Sequence, residues 1–485
     1  LNVTLSADES TGSSLLFTNF LSNAESNTSY ATEDWSRAVD FNYGYPTRGF
    51  TYLKQSSWSN TLVSTESASG DEVNYDSYVK TAPYKRLGNG ATSGFSTFLV
   101  PNIGVLQYIL SNSTVDGWKD ISNMALMYDV DLSATEFSDG KFDDGATTPS
   151  KLSLGSKRLD GQDHTITGLK DSLFKSITGG VVRNLRLTEA NSSSALLAKT
   201  MQNETNTDGT SKTAIVSNIT LEGEITNSTS DLGGLINTVS GGEINTVTSM
   251  LKITQNATGS SEYSLGGLIG HIDEANQSGV KIYYCSNYGP ITGESKGRAV
   301  GGLVGSTSAG RNGSNGSNGN ITIDHCFNGS SVLAGYTSGT DYDEQPYYAG
   351  GIIGTIHGGN NISIQITNCY NAGIIKAGNK THTKMSYAAG IVAHSDLVAT
   401  TKPTETGVYI NNCYNEGSIE ALGKNPETAI QYATDSEGND FVQVISNTPQ
   451  NVSAYLIADI EVKNCSSAGV TKKVEGETET ETVDE

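Results

Sequence analysis

GGLIG at Gly266 and YCSNYGPITG around Cys285 form a pair of phrases that returns along the second half of the chain. The first phrase places two glycines before a run of apolar residues. It recurs as GGLIN at Gly233, GGLVG at Gly301, GGIIG at Gly350 and a degenerate AAGIVAH at Ala388. The second phrase recurs around Cys326, Cys369, Cys413 and Cys465. Two alternating phrases with a period of roughly 40 residues indicate stacked copies of one supersecondary unit.

The composition favours many short strands joined by tight turns. Of the 485 residues 35% are hydrophobic, glycine is abundant with 54 residues, and proline is scarce with 9. Glycine and asparagine accept a positive φ, and serine and threonine bond to the backbone in turns. No apolar pattern with a helical period runs long enough for a sizeable helix. The sequence therefore predicts an all-β fold.

The charge and polarity of the chain exclude some classes of partner. The formal net charge is -22 and no basic patch is present, which disfavours nucleic-acid binding. No segment approaches the roughly 18 apolar residues that a membrane-spanning helix needs. The first ten residues, LNVTLSADES, alternate like a strand and lack the basic start of a signal peptide. The composition, rich in Thr, Ser and Asn, favours export, and we expect an extracellular or cell-surface location.

The repeats divide the chain into three segments. Residues 1–97 do not repeat, and their Tyr, Ser and Asn content with Trp35 and Trp58 indicates a cap or a small β domain. Residues 98–472 carry the repeats and their lead-in. Residues 473–485 form an acidic tail, VEGETETETVDE from Val474, which we expect to be a solvated, disordered end or a linker.

The cysteines occupy the same place in each second phrase. Their number is odd, which argues against a disulfide framework. One turn of a β-helix takes roughly 20 residues, so each repeat would make two turns and equivalent cysteines would lie about 10 Å apart, beyond bridging distance. Apolar residues alternate beside them, as in ITIDHCF, so we interpret the thiols as small buried hydrophobes. Asparagines near the turns are expected either to adopt a left-handed conformation or to bond along a ladder of like residues: Asn184, Asn218, Asn371 and Asn415.

These phrases resemble the GLUG-type repeats of bacterial surface proteins, and so does the lead-in MYDVDLS with LGSKRLDGQDHTITGLKDSLFKSITGGVVRNLRL. Such repeats also precede the peptidase domain of IgA-specific metallopeptidases. The resemblance covers about three quarters of the chain. It implies a right-handed parallel β-helix, a solenoid, here preceded by a non-repetitive β-rich region. It implies no active site, because the family is defined by its scaffold.

No catalytic motif stands out, and we predict no catalytic and no cofactor-binding residues. The chain lacks an HExxH zinc motif, a GxSxG elbow and a phosphate-binding loop. The histidines are His164, which we interpret as a turn residue, and His271, His325, His357, His382 and His394. Two acidic clusters are solvated loop acids, a calcium site or a catalytic carboxylate pair: Glu136, Asp139, Asp143 and Asp144, then Asp341, Asp343 and Glu344. The stretch from Asp435 to Asp440 is also calcium-like, so the question of a metal stays open.

Two classes of function follow from this pattern. A long repeat scaffold without a catalytic motif predicts a non-enzymatic extracellular surface protein, either adhesin-like or a structural, filament-like subunit. Its partners would be glycans and proteins of a host or the environment, or further copies of itself through the solenoid ends or the strand-like residues 1–10. The alternative is a carbohydrate-active β-helix enzyme, a polysaccharide lyase or glycoside hydrolase, which needs two carboxylates about 5 to 10 Å apart across a groove.

Overall fold

The computed structural model describes residues 97–100, 106, 109–110, 121–126, 129–132, 152–227, 230–256, 263–273, 279–294, 297–309, 319–335, 347–358, 362–378, 385–397, 407–423, 425–428, 432–434, 440–442, 459–463, 466–467, 470–475 and 478–483. This part of the chain is almost entirely β-structure. Its helical residues are Leu106, Ile109 and Leu110, all buried.

The strands that precede the first Gly-Gly phrase are β1 (Thr97–Val100), β2 (Asn123–Leu126), β3 (Val130–Asp131), β4 (Arg158–Asp160), β5 (Thr165–Thr167), β6 (Phe174–Thr178), β7 (Val181–Ser192), β8 (Ala198–Gln202), β9 (Glu204–Thr205), β10 (Ser211–Lys212) and β11 (Ile215–Asn227).

The strands from the first Gly-Gly phrase to Cys369 are β12 (Leu232–Gly233), β13 (Ile236–Val239), β14 (Gly242–Gln255), β15 (Tyr263–Gly266), β16 (Ile269–Asp273), β17 (Val280–Tyr283), β18 (Ser286–Asn287), β19 (Ile291–Gly293), β20 (Gly297–Gly301), β21 (Val304–Ala309), β22 (Gly319–Asp324), β23 (Phe327–Asn328), β24 (Val332–Ala334), β25 (Tyr347–Gly350), β26 (Ile353–Gly358) and β27 (Ile362–Thr367).

The remaining strands are β28 (Tyr370–Asn371), β29 (Ile375–Ala377), β30 (Met385–Ala389), β31 (Val392–Leu397), β32 (Gly407–Asn411), β33 (Tyr414–Asn415), β34 (Ile419–Gly423), β35 (Asn425–Thr428), β36 (Tyr432–Thr434), β37 (Asp440–Val442), β38 (Asp459–Lys463), β39 (Ser466–Ser467), β40 (Val470–Glu475) and β41 (Thr478–Val483).

The chain divides into two compact units. The first contains residues 1–148, 156–167 and 181–186, and the second contains the rest. In the first unit the described strands pair in parallel: β1 with β2, β2 with β4, β3 with β5, and β4 with the start of β7. Buried Met124 and Leu159 face each other across one of these pairs, so the sheet carries its own apolar face.

The second unit consists mainly of three parallel sheets. Sheet 1 contains β11, β14, β17–β19, β22–β24, β27–β29, β32–β34 and β38–β40. Sheet 2 runs through β12, β15, β20, β25, β30 and β35, and sheet 3 through β6, β8, β13, β16, β21, β26 and β31. Each strand pairs with its counterpart in the next copy of the repeat, so equivalent residues form columns across a sheet.

One repeat therefore supplies one set of strands to the three sheets, not two. Ser286 of one copy pairs directly with Phe327 of the next, and Phe327 pairs with Tyr370. The expected distance of about 10 Å between equivalent cysteines is wrong, because partners on neighbouring strands are only about 4.8 Å apart. The error came from assigning a repeat of 41 to 44 residues to two turns, whereas it spans three sheets and their connections once.

The columns of apolar residues that point inward form the core. In sheet 1, Ile244, Ile282, Ile323, Ile366 and Ile410 follow one another in register and are at most 1% exposed. Each such side chain contributes about 1.5 to 3 kcal/mol on burial, and each also packs on its copies before and after it. The alternation that predicts strands in the sequence is thus the alternation between core and surface.

The acidic tail contains an ordered strand, unlike the disordered end that its composition predicts. β41 pairs antiparallel with β40, from Val470 opposite Val483 to Glu475 opposite Thr478. β40 itself pairs in parallel with β34 of the preceding copy. Backbone pairing along the sheet edge, which composition does not report, orders this segment.

Candidate functional site

The residue before each described cysteine turns the chain in a left-handed conformation. The φ angle is 51° at Tyr284, 52° at His325, 54° at Asn368 and 53° at Asn412. Asparagine tolerates this region well, whereas a tyrosine there is unusual. The corner presents its side chains outward, and Tyr284 is 60% exposed.

Buried asparagines form a hydrogen-bonded ladder just after the corner. The Nδ2 of Asn287 donates to Asn328 Oδ1 at 3.0 Å, Asn328 donates to Asn371 at 2.7 Å, and Asn371 donates to Asn415 at 2.6 Å. Each Nδ2 also donates to the carbonyl two residues ahead, for example Asn371 to Gly373 at 3.0 Å. All four side chains are fully buried, so the ladder satisfies groups that would otherwise be costly to bury.

The two expected roles of asparagine both occur, at different positions. Asn184 and Asn218 take the left-handed conformation, with φ of 54° and 52°. Asn371 and Asn415 belong to the ladder. The same residue type is thus used once for its backbone tolerance and once for its carboxamide.

The two repeated phrases contact each other in the folded chain. A Cβ atom on Gly267 would lie 2.7 Å from Asn287 Cγ, and one on Gly351 would lie 2.6 Å from Asn371 Cγ. The second glycines of three pairs, Gly267, Gly302 and Gly351, therefore leave the room that the ladder carboxamides fill. Most of the residues that define the repeat in the sequence are therefore buried, where they pack against one another.

An aromatic stack, defined as Tyr288, Phe327, Tyr370 and Tyr414, lies on the outer side of this region. Consecutive ring centroids are 5.3, 5.2 and 5.4 Å apart, and the last two rings are nearly parallel at 19°. Tyr288 is 54% exposed and Tyr414 37%. The Tyr370 hydroxyl donates to the carboxylate of Glu416. The rings of Tyr370 and Tyr414 are stacked, whereas Tyr288 and Phe327 are tilted against each other by 55°.

Asp324 collects polar neighbours at the adjoining corner. Thr367 Oγ1 donates to its Oδ1 at 2.6 Å and Asn368 Nδ2 at 2.8 Å, while His325 Nδ1 lies 2.8 Å from its Oδ2. Burial raises the pKa of Asp324, but hydrogen bonds from Thr367, His325 and Asn368 outweigh this and hold the pKa below its ordinary value. The carboxylate is therefore a negative charge held at this corner by Thr367, His325 and Asn368.

A row of hydroxyl and imidazole groups follows the Gly-Gly phrases on sheet 3. Thr238, His271, Ser306, Thr355 and His394 pair in that order along neighbouring strands. His271 Nδ1 lies 2.7 Å from Ser306 Oγ, which is 2.6 Å from Ser264 Oγ. Ser306 is only 2% exposed, so its hydroxyl is a poor nucleophile toward any dissolved substrate.

The far end of this row packs against tyrosines. The imidazole of His394 has its ring centroid 4.6 Å from Tyr348 and 5.2 Å from Tyr387, and its Nδ1 lies 3.3 Å from Thr355 Oγ1. The polar position after each Gly-Gly phrase was visible in the sequence as the residue following GGLIG, GGLVG, GGIIG and AAGIVA. An alignment of those phrases identifies the row from the sequence alone.

The sequence-derived candidates for chemistry fall in different places. His164 lies just after a turn and its Nδ1 is 3.0 Å from Asp129 Oδ1, consistent with a structural contact. The first two acidic clusters, His382 and residues 435–439 lie outside the described residues. Asp440 begins strand β37. The calcium and carboxylate-pair interpretations therefore stay predictions.

Within the described ranges, no three or more His, Cys, Asp or Glu side chains gather in a way that would hold a metal ion. Nor does any helix in these ranges have the length and apolarity to cross a bilayer.

Comparison with known proteins gives one structural likeness to report. No protein-family model matches the chain, and no curated protein matches it. Among solved structures, the chain is similar to the crystal structure described as "a putative immunoglobulin A1 protease from Bacteroides ovatus", with 16% identity and a TM-score of 0.33. The match covers 79% of this chain and 87% of that one. At this identity and score the likeness carries no argument about activity.

Proposed function

We propose that this chain is a non-enzymatic extracellular surface protein of the adhesin type, built on a right-handed parallel β-helix whose faces are the three sheets. The in-register columns support the helix, because successive copies each add three short strands to sheet 1 and one strand to each of sheets 2 and 3. The GLUG-like phrases also support the β-helix, because their Gly-Gly pairs pack against the asparagine ladder.

The observation that carries the proposed function is that the buried residues and the exposed residues of each repeat have different roles. The recurring Gly, Asn and Cys residues are buried and hold the scaffold, whereas the aromatic stack beside them has exposed rings at Tyr288 and Tyr414 and half-buried rings at Phe327 and Tyr370. Tyrosine combines an apolar ring with a hydroxyl that bonds to a partner. Rings repeated every 5.2 to 5.4 Å suit an extended partner with many hydroxyl groups, such as a glycan chain.

The test is glycan binding by purified protein on an array of bacterial, plant and animal polysaccharides. Tyr288→Ala and Tyr414→Ala should each weaken binding at least several-fold, because both rings are exposed. Ile374→Ala is the matched control, since Ile374 is 47% exposed and lies outside the aromatic stack. An array without a bound glycan, or equal losses in the control, would contradict the proposal.

The same preparations separate the competing functions. New reducing ends or unsaturated uronates, formed with calcium present, would favour the carbohydrate-active enzyme. Regular filaments in negative-stain electron micrographs would favour a structural subunit. We favour the monomeric form, since β41 pairs with β40 and so covers part of the edge on which a second copy would add.

A further inference from the structure

The described cysteines form a thiol ladder, defined as Cys285, Cys326, Cys369 and Cys413. The residue pairs on both sides of each cysteine are in step: Tyr283 pairs with Asp324, and Ser286 with Phe327. The same one-to-one spacing continues to Cys369 and Cys413. Each thiol therefore stands opposite the next on a neighbouring parallel strand.

The thiols are buried and similarly oriented. They are at most 2% exposed and unbridged. Each donates a hydrogen bond to the carbonyl two residues before it, at 3.1 Å from Cys285 Sγ to Tyr283 O and 3.5 Å from Cys413 Sγ to Asn411 O. Burial raises the pKa of Cys285 and of Cys369, so these thiols are protonated at neutral pH.

The spacing of the ladder lies within the range of a disulfide. Neighbouring strands place paired Cα atoms about 4.8 Å apart, and disulfides join Cα atoms separated by roughly 4.4 to 6.8 Å. Cys285 has a cysteine neighbour on one side only, because Val247 precedes the Thr248–Ser286 pair in the previous strand. Among the described cysteines, a bridge at Cys285 must therefore go to Cys326, and Cys369 then has Cys413 as its remaining neighbour.

We propose that the thiol ladder is a disulfide-forming site, in which Cys285 bonds to Cys326 and Cys369 to Cys413, each bridge joining successive copies of the repeat. Because the folded ladder is closed to solvent, the bridges form while the chain folds in an oxidising compartment. The odd number of cysteines does not oppose this, since Cys465 can stay free. Each bridge would close a loop of one repeat.

The oxidant is a small disulfide such as oxidised glutathione. A cysteine thiolate attacks one of its sulfur atoms, forming a mixed disulfide and releasing one glutathione thiolate. The neighbouring cysteine thiolate then attacks the cysteine sulfur of the mixed disulfide, and the second glutathione leaves. The pair of cysteines loses two electrons and two protons, and oxidised glutathione gains the electrons.

The experiment is refolding of the full chain from denaturant in a mixture of reduced and oxidised glutathione, followed by alkylation and tryptic peptide mapping. Cys285 lies in peptide 282–296, Cys326 and Cys369 in 312–376, Cys413 in 385–424 and Cys465 in 464–472. We expect these first three peptides to be joined and 464–472 to be alkylated. Dithiothreitol should lower the urea midpoint of this oxidised protein.

Cys326→Ser separates this register from random pairing. In that variant Cys285 should be recovered alkylated while 312–376 stays joined to 385–424. Complete alkylation of the wild-type protein, or bridges between cysteines that are not neighbours, would overturn the proposal. If the chain does not refold, the same map on protein secreted into a bacterial periplasm gives the pairing.

Discussion

The carboxamide of Asn328 lies where a side chain on Gly302 would have to go. A Cβ atom built on Gly302 would approach Asn328 Cγ to 2.6 Å, and it would also collide with the carbonyl oxygen of Gly351. The glycine and the asparagine belong to different phrases of the same copy of the sequence pattern. Their contact explains why the two phrases recur together.

Gly302→Ala should destabilise the protein by about 2 to 3 kcal/mol, because the obstacles are backbone and a buried ladder residue that cannot move aside. Urea denaturation followed by circular dichroism measures this. Gly155→Asn is the control: Gly155 has φ of 60° with nothing near a new Cβ, and asparagine accepts that conformation. A Gly302→Ala midpoint equal to that of the control would show that the packing is not tight.

Asn371→Ser should cost more stability than Asn287→Ser. Asn371 bonds to ladder neighbours on both sides, and its loss breaks buried hydrogen bonds worth about 1 kcal/mol each and leaves Asn328 without its acceptor. Asn287 begins the ladder, opposite Ser249. The comparison of urea midpoints checks this, and equal losses would mean that the carboxamides act independently.

Thr307→Val should stabilise the protein by about 1 kcal/mol. Thr307 is fully buried in register between Ile272 and Ile356, and its hydroxyl has no hydrogen-bond partner among the described residues. Thr355→Val is the matched opposite, because the Thr355 hydroxyl contacts His394. Thermal unfolding should raise the midpoint of the first variant and lower that of the second. A decrease in both would mean that the Thr307 hydroxyl has a partner.

Asp324 should make stability depend on pH in acid. Its pKa is lowered below the ordinary 3.8, so the folded state binds its proton less readily than the unfolded state. The contribution is therefore complete above that value and is lost as pH falls below it. The difference in unfolding free energy between wild type and Asp324→Asn should shrink as pH falls from about 5 toward 3. A difference that does not change with pH would exclude the carboxylate as the cause.

The sequence predicts the sheets well and the dimensions of the repeat poorly. Apolar alternation around ITIDHCF predicts the core columns, because successive side chains of a strand point to opposite faces of the sheet. The phrases do not indicate how many residues one turn takes, and the typical value does not apply to this chain. Ser286 and Phe327 are far apart in the sequence, so their pairing cannot be read from local patterns. The proximity of the thiols depends on this pairing.

Surface features were harder to foresee than buried ones. The aromatic stack joins Tyr288, two positions later in its phrase than Phe327 and Tyr370, so an alignment alone does not group them. Strand β41 in the acidic tail is not predicted from the sequence, because an acidic composition indicates hydration and gives no information on backbone pairing. The proposed carboxylate sites lie outside the described residues, and they stay predictions.

The one-to-one register also bears on how such a chain could change its size. Because each copy bonds only to the copies on either side, duplication of a whole unit, for example from Phe327 to Cys369, would insert one more layer without altering any existing partner. Deleting the same unit would bring Ser286 opposite Tyr370, and the Asn287 carboxamide opposite that of Asn371. Loss of a single residue within a strand would instead turn its core side chains outward. Selection on such a gene would tolerate the gain or loss of whole units far better than the insertion or deletion of single residues within a strand.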